Sequence, residues 1–258
     1  MRYTLGIDAG SSFTKAVVLG DGALLSSAML PSGGSFAEAG RRTSREALEK
    51  AALSDSEISE TVATGYGAGT IDFAGRTVAD ITSHAAGVFH LFPSARTVID
   101  IGSQFCRVIK LDGDGRVSNF VHNEKCAGGS GKFLQVIARI LHMRVEDIGT
   151  LSLESTNPVK FTTGCAVFAE SEAISRIAEG ATPADILAGV HVAMSAKIVN
   201  LTVRLGLAQD CVVTGGGAKD IGLIRTLEAE LDLKVLVPPD PQITAALGAA
   251  LSALRMER

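Results

Sequence analysis

The feature that most constrains the fold is an internal repeat. The segment "LGIDAGSSFTKAVVLGDGALLS", from Leu5, aligns with "VIDIGSQFCRVIKLDGDGRVS", from Val98. Both copies share the order Ile, Asp, any residue, Gly, Ser, any residue, Phe, any residue and a basic residue. Strand, Gly/Ser turn and strand follow one another in each copy, which predicts two β-hairpins. The matched aspartates, Asp8 and Asp100, are too far apart for a solenoid, so we expect two related lobes.

The repeat predicts an α/β chain with an N-terminal lobe at residues 1–96 and a C-terminal lobe at residues 97–258. Helical spacing follows each hairpin, for example in "SREALEKAALS" and "GKFLQVIARILHM". The segment "TPADILAGVHVAMSAKIVNLTVRLG" has a Thr-Pro start and a Gly end, which are typical of a helix. The C-terminal "TAALGAALSAL" predicts a tightly packed helix of small residues, which could pack back on the first lobe.

Composition narrows the class of protein. The chain has 258 residues, 46% hydrophobic content and a net charge of -4, without a basic cluster. Nucleic acid is therefore not expected as a partner, because its backbone requires concentrated Lys and Arg. We find neither a strongly apolar run long enough to span a bilayer nor a signal peptide. The chain is expected in the cytoplasm, without a membrane partner.

The two hairpins predict phosphate binding. A strand that ends in Asp-x-Gly-Ser presents backbone N–H groups and hydroxyls to a phosphate, and its aspartate can hold Mg²⁺ directly or through water. Two such hairpins facing each other would clamp the phosphates of a nucleotide. The triple glycine Gly215, Gly216 and Gly217 after a buried strand strengthens this interpretation. Lys15 could equally be a solvated strand residue.

The stretch "NEKCAGGSGKFLQ", Asn123 to Gln135, looks like a second kind of phosphate loop but is not one. A P-loop reads Gly, four residues, Gly-Lys-Ser/Thr. Counting back from Lys132 puts Cys126 at the first glycine and Phe133 at the hydroxyl, so both ends fail. The glycines nevertheless predict the N-terminus of a helix, where a thiolate is stabilised and its pKa is lowered.

The four cysteines separate into two kinds. Cys126, two residues before Gly128, and Cys165, directly after Gly164, each stand at a predicted helix entrance. Cys106 and Cys211 lie in apolar strands and are expected to fill the core. Two thiolates are too few for a [4Fe–4S] cluster, which needs four, but a two-fold homodimer would supply the other two. Structural zinc held by four cysteines fits the same count.

These motifs resemble known families. The paired hairpins and the late "GGG" resemble the actin, sugar kinase and Hsp70 ATPase superfamily, which has two lobes and an interlobe nucleotide cleft. The segments "NEKCAGGSGKFLQ", "GCAVFAESEAIS" and "VPPDPQITAALGAALSA" are similar to the ATP-dependent activators of 2-hydroxyacyl-CoA dehydratases. That family is related to benzoyl-CoA reductase ATPase subunits and to reductases of double-cubane cluster proteins. The resemblance covers nearly the whole chain.

The resemblance implies an ATPase that drives electron transfer. Implied are ATP or ADP, Mg²⁺ and one [4Fe–4S] cluster per homodimer, bound by Cys126 and Cys165 of each copy. The electron would come from ferredoxin or flavodoxin and pass to an iron–sulfur acceptor enzyme. The implied catalytic residues are Asp8, Asp100 and Gln104, which would organise Mg²⁺ and the attacking water. The implied cofactor-binding residues are Gly10, Ser11, Ser12, Lys15, Gly102, Ser103, Gly128, Gly129, Gly215, Gly216, Gly217, Lys219 and Gln242.

The chain departs from the family pattern at two places. The second hairpin of the family reads Gly-Gly-Gln-Asp, but here Gly-Ser-Gln is followed by Phe105, so an acid is lost. The family often has Glu and Cys where this chain has Asp80 and Ser83, so the partner need not be a standard dehydratase. Two alternatives remain, a small-molecule kinase of the same fold and a scaffold that uses nucleotide without redox chemistry. Iron content and a phosphorylated product would distinguish them.

Overall fold

The computed structural model describes residues 1–123, 128–162 and 166–254, and these form two compact units. The first unit contains residues 1–96, residues 111–118 and the segment from Pro238 onward. The second unit contains residues 97–110 and 119–237. The lobes predicted from the sequence placed residues 97–258 in the second lobe, with the option that the C-terminal helix packs on the first. In the structure that helix is part of the first unit.

The first unit is built on a five-stranded sheet with strand order β3-β2-β1-β4-β5. β1, β2 and β3 pair antiparallel, whereas β4 and β5 run parallel to β1. The first predicted hairpin is confirmed, because β1 and β2 pair with Asp8 opposite Lys15. The strands are β1 (Tyr3–Ala9), β2 (Phe13–Gly20), β3 (Ala23–Pro31), β4 (Ile58–Thr64) and β5 (Arg76–Thr77).

Two helices of this unit, α1 (Phe36–Ala51) and α8 (Thr244–Leu254), pack on the sheet, and α2 (Asp80–Leu91) packs on α8. The prediction of a tightly packed C-terminal helix is confirmed by the contacts of α8. A Cβ atom on Gly248 would overlap the carbonyl of Ser83 in α2, and one on Gly6 of β1 would overlap the backbone of α8. Only small residues allow backbones to approach this closely. The close approach explains why residues this late in the chain belong to the first unit.

The second unit repeats the arrangement with a four-stranded sheet of order β8-β7-β6-β9. β6 and β7 form the second predicted hairpin, in which Asp100 is opposite Arg107, and β9 runs parallel to β6. The second hairpin is thus confirmed. The strands are β6 (Thr97–Ile101), β7 (Cys106–Leu111), β8 (Val117–His122) and β9 (Cys211–Thr214).

The helices of the second unit pack around a large apolar core. Phe133, Leu134 and Ile137 of α3 are buried at the spacing predicted from the sequence. α6 begins as predicted, because the hydroxyl of Thr182 accepts a hydrogen bond from the backbone of Asp185 and Pro183 occupies the first turn. The helices are α3 (Gly131–Ile140), α4 (Ile148–Ser152), α5 (Ala166–Ala178), α6 (Pro183–Leu205) and α7 (Ile221–Leu231).

The expectation that the chain lacks a stretch able to span a bilayer needs correction at α6. Within the described ranges, α6 is long and apolar enough to cross a membrane by length and composition. The most apolar stretch of α6 has a mean hydropathy of 1.6, and 56% of that stretch is buried inside the structure. Val190, Met194 and Ile198 are fully buried in the core of the second unit. The hydropathy of α6 therefore reflects protein packing.

Candidate functional site

The first hairpin turn places a buried carboxylate beside a lysine. Asp8 is the penultimate residue of β1, and 7% of its surface is exposed. Lys15 lies opposite on β2 and donates a hydrogen bond from Nζ to Asp8 Oδ2 at 2.9 Å. Because the Lys15 side chain is only 14% exposed, the alternative of a solvated strand lysine is wrong. A direct contact of Lys15 with phosphate stays a prediction.

Ser32, which the sequence did not single out, holds the first turn in place. Its hydroxyl donates to the carbonyl of Gly10 at 2.6 Å, and its backbone N–H donates to the carbonyl of Ser12 at 3.0 Å. The Ser32 proton is used in the bond to Gly10, so Thr14 donates from Oγ1 to Ser32 Oγ at 2.9 Å. Ser32 is 2% exposed and Thr14 is fully buried. Both carbonyls at the turn are thus fixed by one residue.

The second hairpin turn repeats the buried carboxylate. Asp100 is 4% exposed, and Nη1 of Arg107 lies 3.6 Å from Asp100 Oδ2. Thr214 of the neighbouring strand points its hydroxyl at Asp100 Oδ1 from 3.5 Å. The Gly102 N–H closes the turn by donating to the carbonyl of Phe105 at 2.9 Å. Gln104 is exposed, and its role in orienting water stays a prediction.

The second turn is held by the start of α3. The N–H groups of Gly131 and Lys132 donate to the carbonyls of Gly102 and Ser103 at 2.8 and 2.9 Å. The first N–H groups of a helix have no partner within the helix, so the hairpin carbonyls satisfy them. The prediction of a helix entrance after the glycines is confirmed. The two turns therefore have equivalent positions and different anchors.

Gly128 and Gly129 precede this helix and are buried. They line a cavity of about 200 Å³ in the second unit, together with Cys106, Asn123 and Lys197. The expected contact of these glycines with nucleotide stays a prediction.

A second repeated motif, which was not predicted from the sequence, lies beside each hairpin at the end of a parallel strand. Thr64 ends β4 beside Asp8 and is followed by Gly65, as Thr214 ends β9 beside Asp100 and is followed by Gly215. Both glycines have positive φ, 89° and 81°. A Cβ atom at either would overlap the neighbouring aspartate carboxylate, so only glycine fits. The repeat could have been recognised from the pattern Val-x-Thr-Gly-x-Gly, which "VATGYG" and "VVTGGG" share.

The remaining predicted nucleotide contacts lie in both units. Gly216, Gly217 and Lys219 form a short 3-10 turn after β9, and a Cβ atom on Gly217 would overlap the side chain of Ile101. Gln242 belongs to the first unit and lies two residues before the start of α8. Their nucleotide contacts stay predictions.

The predicted cluster ligands, Cys126 and Cys165, lie outside the described residues. Cys106 and Cys211 are buried in β7 and β9, at 1% and 2% exposure, which confirms that they fill the core. Burial raises the pKa of the Cys106 thiol well above its usual range and that of Cys211 to about 12. Both are protonated near neutral pH and are poor metal ligands. The described ranges contain no group of three or more His, Cys, Asp or Glu side chains suited to a metal ion.

The two departures in "ADITSHAAG" fall at the start of α2. Asp80 accepts a hydrogen bond from the N–H of Ile81 through Oδ1, at 2.8 Å. Ser83 is 1% exposed, and its backbone faces Gly248 of α8. In this chain, Ser83 thus serves helix packing.

Two α/β units, each with a buried aspartate at a Gly/Ser turn, have the architecture of the actin and sugar kinase fold. A ROK-family glucokinase from Streptomyces griseus shares this fold, with a TM-score of 0.61 at 15% identity over 98% of this chain and 99% of that one. The chain belongs to the BadF/BadG/BcrA/BcrD ATPase family, whose model matches residues 5–253.

Individual relatives confirm the resemblance to dehydratase activators. The activator of lactoyl-CoA dehydratase from Anaerotignum propionicum is 41% identical, with 97% of each chain covered. Component A of (R)-2-hydroxyglutaryl-CoA dehydratase from Acidaminococcus fermentans superimposes with a TM-score of 0.95 at 38% identity, over 98% of both chains. The 2-hydroxyisocaproyl-CoA dehydratase activator from Clostridium difficile, solved with bound ADPNP, gives a TM-score of 0.93 at 39% identity, over 97% of this chain and 94% of that one.

Proposed function

We propose that this protein hydrolyses ATP to drive one-electron transfer from ferredoxin or flavodoxin to an iron–sulfur partner enzyme. The acceptor would be related to 2-hydroxyacyl-CoA dehydratases, benzoyl-CoA reductase or double-cubane cluster proteins. The protein would act in the cytoplasm as a homodimer. Full-length similarity to named activators supports this proposal, as does the ADPNP bound by one of them.

The residues of the two turns fit a magnesium nucleotide. Asp8 and Asp100 are carboxylates at the ends of strands, and oxygen ligands of this kind suit Mg²⁺. The absence of a Cβ atom at Gly65 and Gly215 lets each carboxylate lie against the glycine backbone, where a Cβ atom would overlap it. In the proposal, Ser11, Ser12 and Lys15 bind phosphate oxygens, whereas Gln104 orients the attacking water.

The donor set fits half of a shared cluster. Of the four cysteines, Cys106 and Cys211 are excluded as ligands because they are buried and their thiol pKa values are raised. Cys126 and Cys165 remain, and two copies would supply the four thiolates of a [4Fe–4S] cluster. When bound, such a cluster supplies a one-electron carrier.

The observation that carries the proposed coupling is the pair of hydrogen bonds from α3 to the second turn. Gly131 and Lys132 donate to Gly102 and Ser103, and Cys126 lies only a few residues before that helix start. A change at the phosphates that moves the turn would therefore also move the backbone that follows Cys126. Such an element, biased by a ligand, can switch between two states.

Anaerobic purification tests the proposal. We expect brown protein with about four iron atoms per dimer and ATPase activity that requires Mg²⁺. Cys126→Ser and Cys165→Ser should each lose the iron, whereas Cys106→Ser and Cys211→Ser, the matched controls, should keep it. Iron lost from the controls alone would refute the ligand assignment. Colourless protein that phosphorylates a sugar would favour the kinase, and colourless protein without turnover would favour the scaffold.

The coupling has its own test. The rate at which a chelator removes iron is measured with an ATP analogue and with ADP. We expect different rates, because the nucleotide state should change the exposure of the cluster. Identical rates would refute the coupling and leave the ATPase assignment intact.

A further inference from the structure

Phe105, the residue that departs from the family pattern, contacts the cation beside Asp100. The carbon Cζ of Arg107 lies over the Phe105 ring, 5.3 Å from its centre. Phe105 directly precedes β7 and Arg107 is its second residue, so the two side chains, two positions apart, lie on the same face of the extended chain. The intervening Cys106 points into the core.

Arg107 in turn faces the carboxylate. It is directly opposite Asp100 in the antiparallel pair, and Nη1 lies 3.6 Å from Oδ2. The side chains of Arg107 and Asp100 are 15% and 5% exposed, so water screens their attraction little. At 3.6 Å this contact between Nη1 and Oδ2 is an ion pair and is longer than a good hydrogen bond.

The ring supplies the second constraint. A guanidinium over an aromatic face is attracted to the ring, and more strongly where water is partly excluded. His122 of β8 meets the Phe105 ring edge-on, with centres 6.4 Å apart and planes at 89°. The Phe105 ring thus contacts both His122 and Arg107.

We propose that Phe105 is a positioning residue that holds the Arg107 guanidinium against Asp100 and thereby orients this carboxylate for the ATPase reaction. The inference rests on the proposed function, because it assigns Asp100 to the magnesium nucleotide. It gives the aromatic residue at this position a role of its own in this chain.

The first hairpin offers a matched control. Phe13 occupies the position of Phe105 in the repeat, and Lys15 that of Arg107. Lys15 hydrogen-bonds Asp8 directly at 2.9 Å, so its position does not depend on a ring. Phe13→Leu should therefore change the ATPase less than Phe105→Leu does.

The test is a double-mutant cycle of Phe105→Leu and Arg107→Met. We expect Phe105→Leu to lower kcat for ATP hydrolysis about 3- to 10-fold, with KM for ATP changed less than about 2-fold. In the Arg107→Met background the same substitution should change kcat less than about 2-fold. Phe105→Tyr keeps the aromatic face and should restore most of the activity. Thermal unfolding checks that each variant remains folded.

A second readout separates failure of this inference from failure of the proposed function. Calorimetry measures the Mg²⁺ concentration needed for half-maximal ADP binding, which Phe105→Leu should raise several-fold. Wild-type protein without ATPase activity would contradict the proposed function, and the Mg²⁺ titration would still test Phe105. The inference is overturned if Phe105→Leu leaves both readouts unchanged, if Phe13→Leu has the same effect, or if the loss persists in the Arg107→Met background.

Discussion

The two hairpin turns of this molecule join similar antiparallel strand pairs, but different groups bind the carbonyls of each turn and thereby anchor it. In the first unit, one buried residue, Ser32, binds the carbonyls of Gly10 and Ser12. In the second unit, the carbonyls of Gly102 and Ser103 bind the first N–H groups of α3. Ser32 belongs to the same unit as the first turn and fixes that turn locally. The start of α3 is hydrogen-bonded to the second turn, so a displacement of that turn would also displace the helix. The repeated sequence thus makes two similar turns, and the sequence outside the repeat gives them different anchors. In the proposed coupling, only the second turn would transmit motion.

Replacing Gly65 and Gly215, the two glycines that lie against the aspartate carboxylates, should have the largest effect on stability and nucleotide binding. Gly65→Ala and Gly215→Ala each force a Cβ atom into an aspartate carboxylate at positive φ. We expect each to lower the free energy of unfolding by about 2–4 kcal/mol and to abolish nucleotide binding. Urea unfolding and ADP titration measure these effects. Gly33→Ala, at φ 58° with open space around it, is the control and should cost about 1 kcal/mol.

The aspartates test whether both turns take part in the chemistry. Asp8→Asn and Asp100→Asn remove one negative charge each with little change of shape. We expect each to lower kcat about 100-fold or more, because Mg²⁺ and the transition state lose a fixed charge. A steady-state ATPase assay measures this loss. If one variant kept the wild-type kcat, the aspartate of that turn would have no role in hydrolysis. That result would contradict the prediction that the two turns are functionally equivalent.

The anchors themselves should give different phenotypes. Gly131→Pro removes the N–H that binds Gly102, and Ser130 before it already has φ -118° and ψ 164°, which suit a residue before proline. We expect the rate of iron removal by chelator to lose its dependence on ATP analogue or ADP.

Ser32→Ala should instead act locally. It leaves the buried hydroxyl of Thr14 without its acceptor and costs about 1–3 kcal/mol of stability. KM for ATP should rise several-fold, and the nucleotide dependence of iron removal should remain. Loss of that dependence in Ser32→Ala would contradict the distinction between the two anchors.

The buried cysteines should give the smallest effect. Native protein at pH 8 should resist alkylation at Cys106 and Cys211, because both thiols are buried and their pKa values are raised. Cys211→Ala should cost only about 1 kcal/mol and leave the iron content unchanged. Mass spectrometry after iodoacetamide treatment, and iron analysis, measure the two outcomes. Rapid alkylation at Cys211 in folded protein would contradict its placement in the core.

Local sequence patterns predicted the hairpins and several helices, because strand alternation, glycine turns and the Thr-Pro cap act within a few residues. The contacts of Ser32 with Gly10 and Ser12 could not be predicted in this way, since they join separate strands across the sheet. The same holds for Gly131 and Gly102. The Thr64-Gly65 and Thr214-Gly215 pairs were visible in the sequence, yet only the parallel pairing of β4 with β1 and of β9 with β6 explains them.

The membership of α8 in the first unit also has a consequence for biosynthesis. A chain leaves the ribosome from its N-terminus, so residues 97–237 emerge before the helix that packs on β1 and α2. The face of the first sheet that α8 covers therefore stays exposed until the second unit has been translated. The second unit, whose sheet and five helices come from residues 97–237, has its own elements available earlier. The order of folding would then be the reverse of the order in which the two hairpins are encoded.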